Sequence, residues 1–211
     1  MAETLTFYTN PMSRGQMIRW MLEEVGQPYE TEILDYASTM KQPRYLAINP
    51  MGKVPAIMHG EVVVTECAAI CAYLADAFPQ AGLAPAPTSP GRGSYYRWLF
   101  FAAGCVEPAA SNKAAGFVPT EQHQRMFGYG SYERMLETLE AAVSGVEYLA
   151  GGKFSAADLY VASQLNFGMT FGTIEKRPAF EAYTARLVAR PAFQKAKDID
   201  NALIAEMQKS A

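Results

Sequence analysis

The chain has 211 residues, of which half are apolar, and its formal net charge at pH 7 is −3. These values are typical of an ordinary globular protein with two modest domains or one large one. The Lys and Arg residues are scattered singly, which indicates no nucleic-acid partner. No run of about 18 apolar residues predicts a membrane span. Residues 1–8 lack the basic and apolar segments of a signal peptide, so a cytoplasmic protein is expected.

The N-terminal residues predict a β-α-β unit. Residues 5–9 alternate between apolar and polar side chains and predict a strand, which the Asn10-Pro11 pair ends. Apolar residues recur at helical spacing over residues 18–25, and Gly26 is a suitable C-terminal cap for that helix. Residues 29–34 predict a second strand. Two strands joined by a helix are expected to be parallel, with a right-handed crossover.

A hairpin and a helix are predicted next. Residues 54–64 contain two short apolar runs separated by a His59-Gly60 turn, and residues 66–77 return to helical spacing. Residues 35–48 are less regular. The resulting order, β-α-β-α-β-β-α, is that of a thioredoxin-like sheet, so the predicted class is an α/β domain.

A domain boundary is predicted where proline and glycine concentrate. Residues 78–93 hold four prolines and three glycines, which favours a linker over residues 81–93 between domains of residues 1–80 and 94–211. The second domain reads as all-helical, with helices expected over residues 95–115, 120–150, 155–171, 178–189 and 192–208. Ser155 and Asp158 have the spacing of a capping box at the start of one of these helices.

The Val54-Pro55 pair is the most informative short motif in the chain. Proline cannot donate to a strand ladder, so Pro55 marks a strand start, an edge or a cis peptide bond. With a cis bond, the backbone N–H and C=O of Val54 are free to pair with an extended ligand. Glu66 and Cys67 then open a helix, whose N-terminal N–H groups suit a carboxylate.

This motif, with the Glu66-Cys67 pair, resembles the glutathione site of the cytosolic glutathione transferase family, here in its bacterial type. The resemblance implies that Lys53, Val54, Pro55, Glu66 and Cys67 bind glutathione, the co-substrate. Cys67 stands where most of the family has Ser, and a thiol is the weaker hydrogen-bond donor. The resemblance also implies that the second domain is the all-helical C-terminal domain of the family, in which the Ser155–Asp158 box has a folding role.

Two hydroxyls are candidates for activating the glutathione thiol. An ungapped match through Arg19-Trp20 is similar to the tyrosine classes of the family and implies catalytic roles for Tyr8 and the neighbouring Asn10. Serine classes place the hydroxyl at the start of the first helix, where Ser13 is the nearest candidate. A hydroxyl that donates to sulfur near a helix N-terminus favours the thiolate over the thiol. We favour Tyr8 because its match has no gap.

The resemblance implies attack of the bound thiolate on a small apolar electrophile. The alternatives are a glutathione peroxidase, isomerase or disulfide-bond reductase of the same fold, and a non-enzymatic binding protein. Weaker candidates for the electrophile site are Cys105, Asn112, Phe117, Phe167 and Phe171. The aromatic residues 95–101 favour a core or a dimer interface, and a homodimer is expected. His59 and His123 lie in unrelated contexts, so no metal is expected.

Overall fold

The computed structural model describes residues 3–209. The chain divides into two compact units. Of the described residues, the first contains 3–81 and 190–209, and the second is Gly82–Ala189. None of the helices in residues 3–209 has the length and apolar character of a membrane span.

The first unit is built on a mixed sheet of four strands, β1 (Leu5–Thr9), β2 (Glu30–Ile33), β3 (Ala56–His59) and β4 (Val62–Thr65). The strand order is β2-β1-β3-β4. β1 and β2 are parallel, whereas β3 is antiparallel to both β1 and β4. The predicted β-α-β unit, hairpin and thioredoxin-like order are therefore confirmed.

Ten α-helices lie in the described part of the chain. In order they are α1 (Gly15–Val25), α2 (Pro43–Leu46), α3 (Cys67–Ala77), α4 (Gly91–Phe101), α5 (Glu107–Ala114), α6 (Glu121–Met126), α7 (Tyr132–Val143), α8 (Ala156–Phe171), α9 (Pro178–Val188) and α10 (Pro191–Lys209). Helices α4–α9 form the second unit, which is all-helical as predicted.

Helix α1 covers one face of the sheet. Phe7 points to this face, because the guanidinium carbon of Arg19 on α1 lies 5.2 Å from the centre of its ring. Ile18, Met21 and Leu22 of α1 are buried in the same core. The helix ends at Gly26, whose φ of 70° is the left-handed conformation that a glycine cap adopts without steric cost.

The last helix packs on α1 and belongs to the first unit. The ring of Trp20 on α1 meets Phe193 of α10 edge to face, with 4.9 Å between centroids. Arg190, just before α10, donates two hydrogen bonds to Glu24 at 2.6 and 2.8 Å. The boundaries predicted from the sequence instead assign residues 190–211 to the helical domain. A helical period alone does not reveal which surface the apolar side of a helix will cover.

Two of the helices expected in the second unit are divided. The helix predicted over residues 95–115 contains a π-helical stretch, Ala102–Val106, between α4 and α5. Pro108 in the first turn of α5 lacks an N–H group, which removes one hydrogen bond that would continue a regular α-helix. The helix predicted over residues 120–150 is interrupted between α6 and α7, where Gly130 has a φ of 65°.

The capping box at the start of α8 is confirmed. Asp158 Oδ2 accepts hydrogen bonds from the backbone N–H and the hydroxyl of Ser155, at 2.9 and 2.7 Å. Its Oδ1 accepts from the N–H of Leu149 and the hydroxyl of Tyr183, both at 2.7 Å. Burial raises the pKa of Asp158 while these donors oppose the rise. The Asp158 carboxylate thus joins the start of α8 to the segment before it and to α9. This is a role in folding.

Candidate functional site

The strand register gathers the candidate residues at one edge of the sheet. Tyr8 of β1 stands opposite Ala56 of β3, and Ala56 stands opposite Thr65 of β4. The end of β1, the start of β3 and the end of β4 therefore meet. The segments that continue from them carry Ser13, Val54-Pro55 and Glu66-Cys67.

The Val54-Pro55 peptide bond is cis, as the sequence had suggested. The residues before it are anchored by side chains: the carbonyl of Lys53 accepts from the hydroxyl of Tyr45 at 2.5 Å and from the amide of Asn49 at 2.9 Å. Among the described residues, neither the N–H nor the C=O of Val54 pairs with another backbone group. Val54 therefore presents a donor and an acceptor to an extended ligand.

Glu66 precedes α3 in an unusual backbone conformation. Its φ of 68° and ψ of 120° lie outside the regions that residues other than glycine usually adopt. Such an outlier is kept only where the surrounding structure imposes it, and it is often found at a binding site. The Glu66 side chain is exposed to solvent. Glu66 therefore lies at the positive end of the α3 dipole.

The starts of α1 and α3 lie side by side. The sulfur of the buried Cys67 is 4.0 Å from the carbonyl oxygen of Arg14, which immediately precedes α1. Ser13 is buried one residue earlier, with 8% of its surface exposed. Its hydroxyl donates to the carbonyl of Asn10 at 2.6 Å and accepts from the N–H of Gly15 at 2.9 Å. The structure thus brings Ser13 to the Glu66-Cys67 edge.

Tyr8 lies on the other face of the sheet. Successive strand residues point to opposite faces, and Phe7 and Thr9 both point toward α1. The Tyr8 ring packs 5.8 Å from that of Tyr45, in a cluster with Leu34, Met40 and Ala56. Burial, followed by the nearby carboxylate of Glu32, raises the pKa of the Tyr8 hydroxyl.

Both halves of the chain match glutathione transferase family models. Residues 3–76 match the N-terminal domain of glutathione S-transferase, and residues 128–191 match its C-terminal domain. The chain is 30% identical to glutathione S-transferase F10 of Arabidopsis thaliana, over 74% of the chain and 76% of that protein. It is 29% identical to glutathione S-transferase 3 of Zea mays, over 90% of the chain and 92% of the relative.

The chain belongs to the glutathione S-transferase family. A solved sphingomonad glutathione S-transferase in complex with glutathione is 28% identical, with a TM-score of 0.76 over 93% of this chain and 98% of the other. The Xylella fastidiosa enzyme gives the same score and coverage at 27% identity. The predicted family, fold class and transferase activity are confirmed.

In this transferase the amide of Asn10 has a structural role. Its Nδ2 donates to the carbonyl of Leu34 at 2.8 Å, joining the segment after β1 to the segment after β2. Its Oδ1 accepts from the N–H of Met12 at 3.0 Å. Both ends of the amide are occupied, so Asn10 fixes the turn that carries Ser13.

Motif matching alone does not find three residues near the transferase's site. Lys41 donates from Nζ to the carbonyl of Gly52 at 2.8 Å, next to Lys53. A Cβ atom built at Gly15 would lie 1.9 Å from Oγ1 of Thr9, so α1 begins in close contact with β1. The Lys41 contact depends on the irregular residues 35–48, which carry no usable pattern. The glycine at the start of the predicted first helix was the sequence signal that could have revealed the close contact between Gly15 and Thr9.

The weaker candidates for the electrophile all lie in the second unit. The rings of Phe167 and Phe171 are 4.5 Å apart near the end of α8. The Asn112 amide donates to the hydroxyl of Tyr129 at 2.7 Å, and the Cys105 thiol to the carbonyl of Gly128 at 3.5 Å. The ring of Phe117 packs 6.0 Å from that of Phe127, so three of the five candidates lie beside residues 127–129, and the role of all five stays a prediction.

Proposed function

We propose that this transferase binds glutathione at the Ser13, Val54 and Glu66 edge of the first unit and that Ser13 activates its thiol for attack on a small apolar electrophile. The observation that carries the proposal is the convergence of three features at one edge. These are the unpaired Val54 backbone, the exposed Glu66 carboxylate before α3, and the Ser13 hydroxyl before α1. The glutathione complexes of similar enzymes support the same ligand.

Each part of glutathione has a complementary group. The cysteinyl backbone pairs with the N–H and C=O of Val54, next to the cis Pro55. The γ-glutamyl end carries an ammonium, which suits the Glu66 carboxylate, and a carboxylate, which suits the Cys67 N–H at the start of α3. The glycyl carboxylate is served by Lys41 and Lys53, both exposed beside the Val54 turn. Every charge on the tripeptide thereby meets the opposite charge or a donor.

Ser13 is the better thiol activator because it lies beside the starts of α1 and α3, where the Glu66-Cys67 pair also lies. Lowering a thiol pKa from about 8.5 by two units requires about 2.7 kcal/mol. A hydrogen bond to the thiolate contributes about 1.5–3 kcal/mol, and the helix dipole adds about 0.3–1 kcal/mol. In this proposal Ser13 supplies the hydrogen bond, and α1 supplies the dipole. The ring of Tyr8 instead packs in the cluster on the opposite face.

The proposal is tested by titrating glutathione into the protein in a calorimeter and then following conjugation of a chloronitroaromatic electrophile. We expect saturable binding at sub-millimolar glutathione and conjugation above the uncatalysed rate. Serum albumin at the same concentration is the control. The absence of binding heat at several millimolar glutathione would contradict the proposed site. Binding without conjugation would retain the site and contradict the reaction.

A cytoplasmic homodimer completes the proposal. In the second unit, Phe100 is 70% exposed and Tyr96 is 40% exposed on one face of α4. In the first unit, Val62 and Val63 on the edge strand are similarly exposed. Apolar surface of this kind favours burial against a second copy. Sedimentation at micromolar concentration is expected to give twice the mass of the chain. The three cysteines, all free thiols, suit the reducing cytoplasm.

A further inference from the structure

The hydroxyl of Ser13 is committed to another acceptor before any ligand arrives. Its Oγ lies 2.6 Å from the carbonyl oxygen of Asn10 and donates to it. A hydroxyl has one proton to give. If that proton turned toward sulfur with Oγ left in place, two oxygens would face each other at 2.6 Å with no hydrogen between them. The Ser13 side chain must therefore rotate away from Asn10 when it donates to the thiolate.

That rotation removes a donor from a buried carbonyl. Asn10 is 1% exposed. Its carbonyl oxygen keeps the backbone N–H of Ser13 at 3.0 Å but loses the stronger hydroxyl donor. Loss of a partner by a buried polar group is unfavourable unless another donor replaces it. This cost would oppose thiolate stabilisation by Ser13.

A second hydroxyl is already directed at the same oxygen. Thr9 is fully buried, and its Oγ1 donates to the Asn10 carbonyl at 3.4 Å. That distance is long for a hydroxyl donor, which usually lies within about 3.0 Å. Asn10 is the only hydrogen-bond partner of the Thr9 hydroxyl among residues 3–209. Thr9 can therefore strengthen this bond without giving up another.

The lack of a side chain at Gly15 makes room for this hydroxyl. A Cβ atom at residue 15 would lie 1.9 Å from Oγ1 of Thr9 and 2.9 Å from Oγ of Ser13. Both hydroxyls thus border the same space under the start of α1. Any larger residue there would displace one or both.

We propose that Thr9 is a positioning residue whose hydroxyl takes over the Asn10 carbonyl when Ser13 turns to the bound sulfur. No bond is made or broken in this exchange, and each hydroxyl keeps its proton. The inference rests on the proposed function, because it requires Ser13 to be the group that donates to the thiolate. Thr9 itself touches neither the ligand nor the reacting atoms.

The test measures the pKa of glutathione bound to the full-length protein, from thiolate absorbance near 240 nm as a function of pH. Thr9→Val, which keeps the shape and removes the hydroxyl, is expected to raise this pKa by about 0.5–1 unit, the worth of one hydrogen bond. Thr9→Ser is expected to restore the wild-type value. Thr6→Val, a half-buried threonine on the same strand, is the matched control and should leave the pKa unchanged. Thr9→Ala replaces Thr9→Val if the latter does not fold.

A double-mutant cycle separates the exchange from a packing effect. In a Ser13→Ala background there is no Ser13 hydroxyl to turn away from the Asn10 carbonyl. Thr9→Val should then have no effect on the pKa of bound glutathione. An equal effect of Thr9→Val in both backgrounds, or a failure of Thr9→Ser to restore the wild type, would overturn the inference. If Ser13→Ala raises the pKa and Thr9→Val does not, the exchange is wrong and the proposed function stands. If Ser13→Ala has no effect, both are wrong.

Discussion

Arg19 and Asp200 form a buried ion pair that joins α1 to α10, with Nε of Arg19 2.7 Å from Oδ1 of Asp200. Their side chains are only 1% and 4% exposed. Arg19 also reaches β2, donating to the hydroxyls of Tyr29 and Thr31 at 3.3 and 3.4 Å. One side chain thus links the sheet, the helix that follows Ser13 and the last helix of the chain.

Asp200→Ala is expected to lower the free energy of unfolding by about 3–5 kcal/mol, because it leaves the Arg19 charge buried without its counter-ion. Urea denaturation followed by circular dichroism measures the change. Arg134→Ala in α7 is the control, since Arg134 and its partner Glu137 are 77% and 58% exposed. An exposed pair of this kind contributes about 1 kcal/mol or less. Similar small losses for both variants would mean that the buried pair does not hold α10.

Gly15→Ala is expected to lower kcat/KM for glutathione conjugation and to destabilise the protein by about 1–3 kcal/mol. The added methyl group would overlap Thr9 and crowd the hydroxyl of Ser13. Gly93→Ala is the matched control, because Gly93 lies in α4 with no atom within 4 Å of an added Cβ. That change should leave activity intact and stabilise the helix by up to about 1 kcal/mol. Normal activity in Gly15→Ala would contradict close contact between α1 and β1.

Glu66→Ala is expected to weaken glutathione binding about 10- to 100-fold, the effect of losing one charge-assisted hydrogen bond. Cys67→Ser should be neutral or favourable, since the hydroxyl is the stronger donor and the backbone N–H is retained. Isothermal titration with both variants at the same pH gives the comparison. Weaker binding by Cys67→Ser than by Glu66→Ala would reverse the roles assigned to the two residues.

The fold was predictable where the pattern is local. Alternation in β1, helical spacing in α1 and the Val54-Pro55 turn each determine a short segment, and together they give the thioredoxin-like order. The surface against which α10 packs was not predictable in this way, because Arg19 and Asp200 are 181 residues apart. The π-helical stretch at Ala102–Val106 also interrupts a period that looks continuous in the sequence.

That the candidate binding residues meet at one edge of the sheet was predictable from the sequence, but the face of the sheet on which Tyr8 lies was not. The register of β1, β3 and β4 brings Val54 and Glu66 to one edge, as the spacing of the hairpin and helix suggested. Alternation shows that Tyr8 points away from Phe7 and Thr9, yet it does not say which face α1 covers. Only the packing of Arg19 on Phe7 and of Gly15 on Thr9 supplies that information.

The most direct test of the account compares Ser13→Ala with Tyr8→Phe by the pKa of the bound glutathione thiol. The account predicts that Ser13→Ala raises this pKa by at least one unit and lowers kcat, while the affinity for glutathione changes little. Tyr8→Phe should keep the wild-type pKa, because its ring packs on the other face of the sheet. A raised pKa in Tyr8→Phe together with an unchanged pKa in Ser13→Ala would contradict the account and assign activation to the tyrosine.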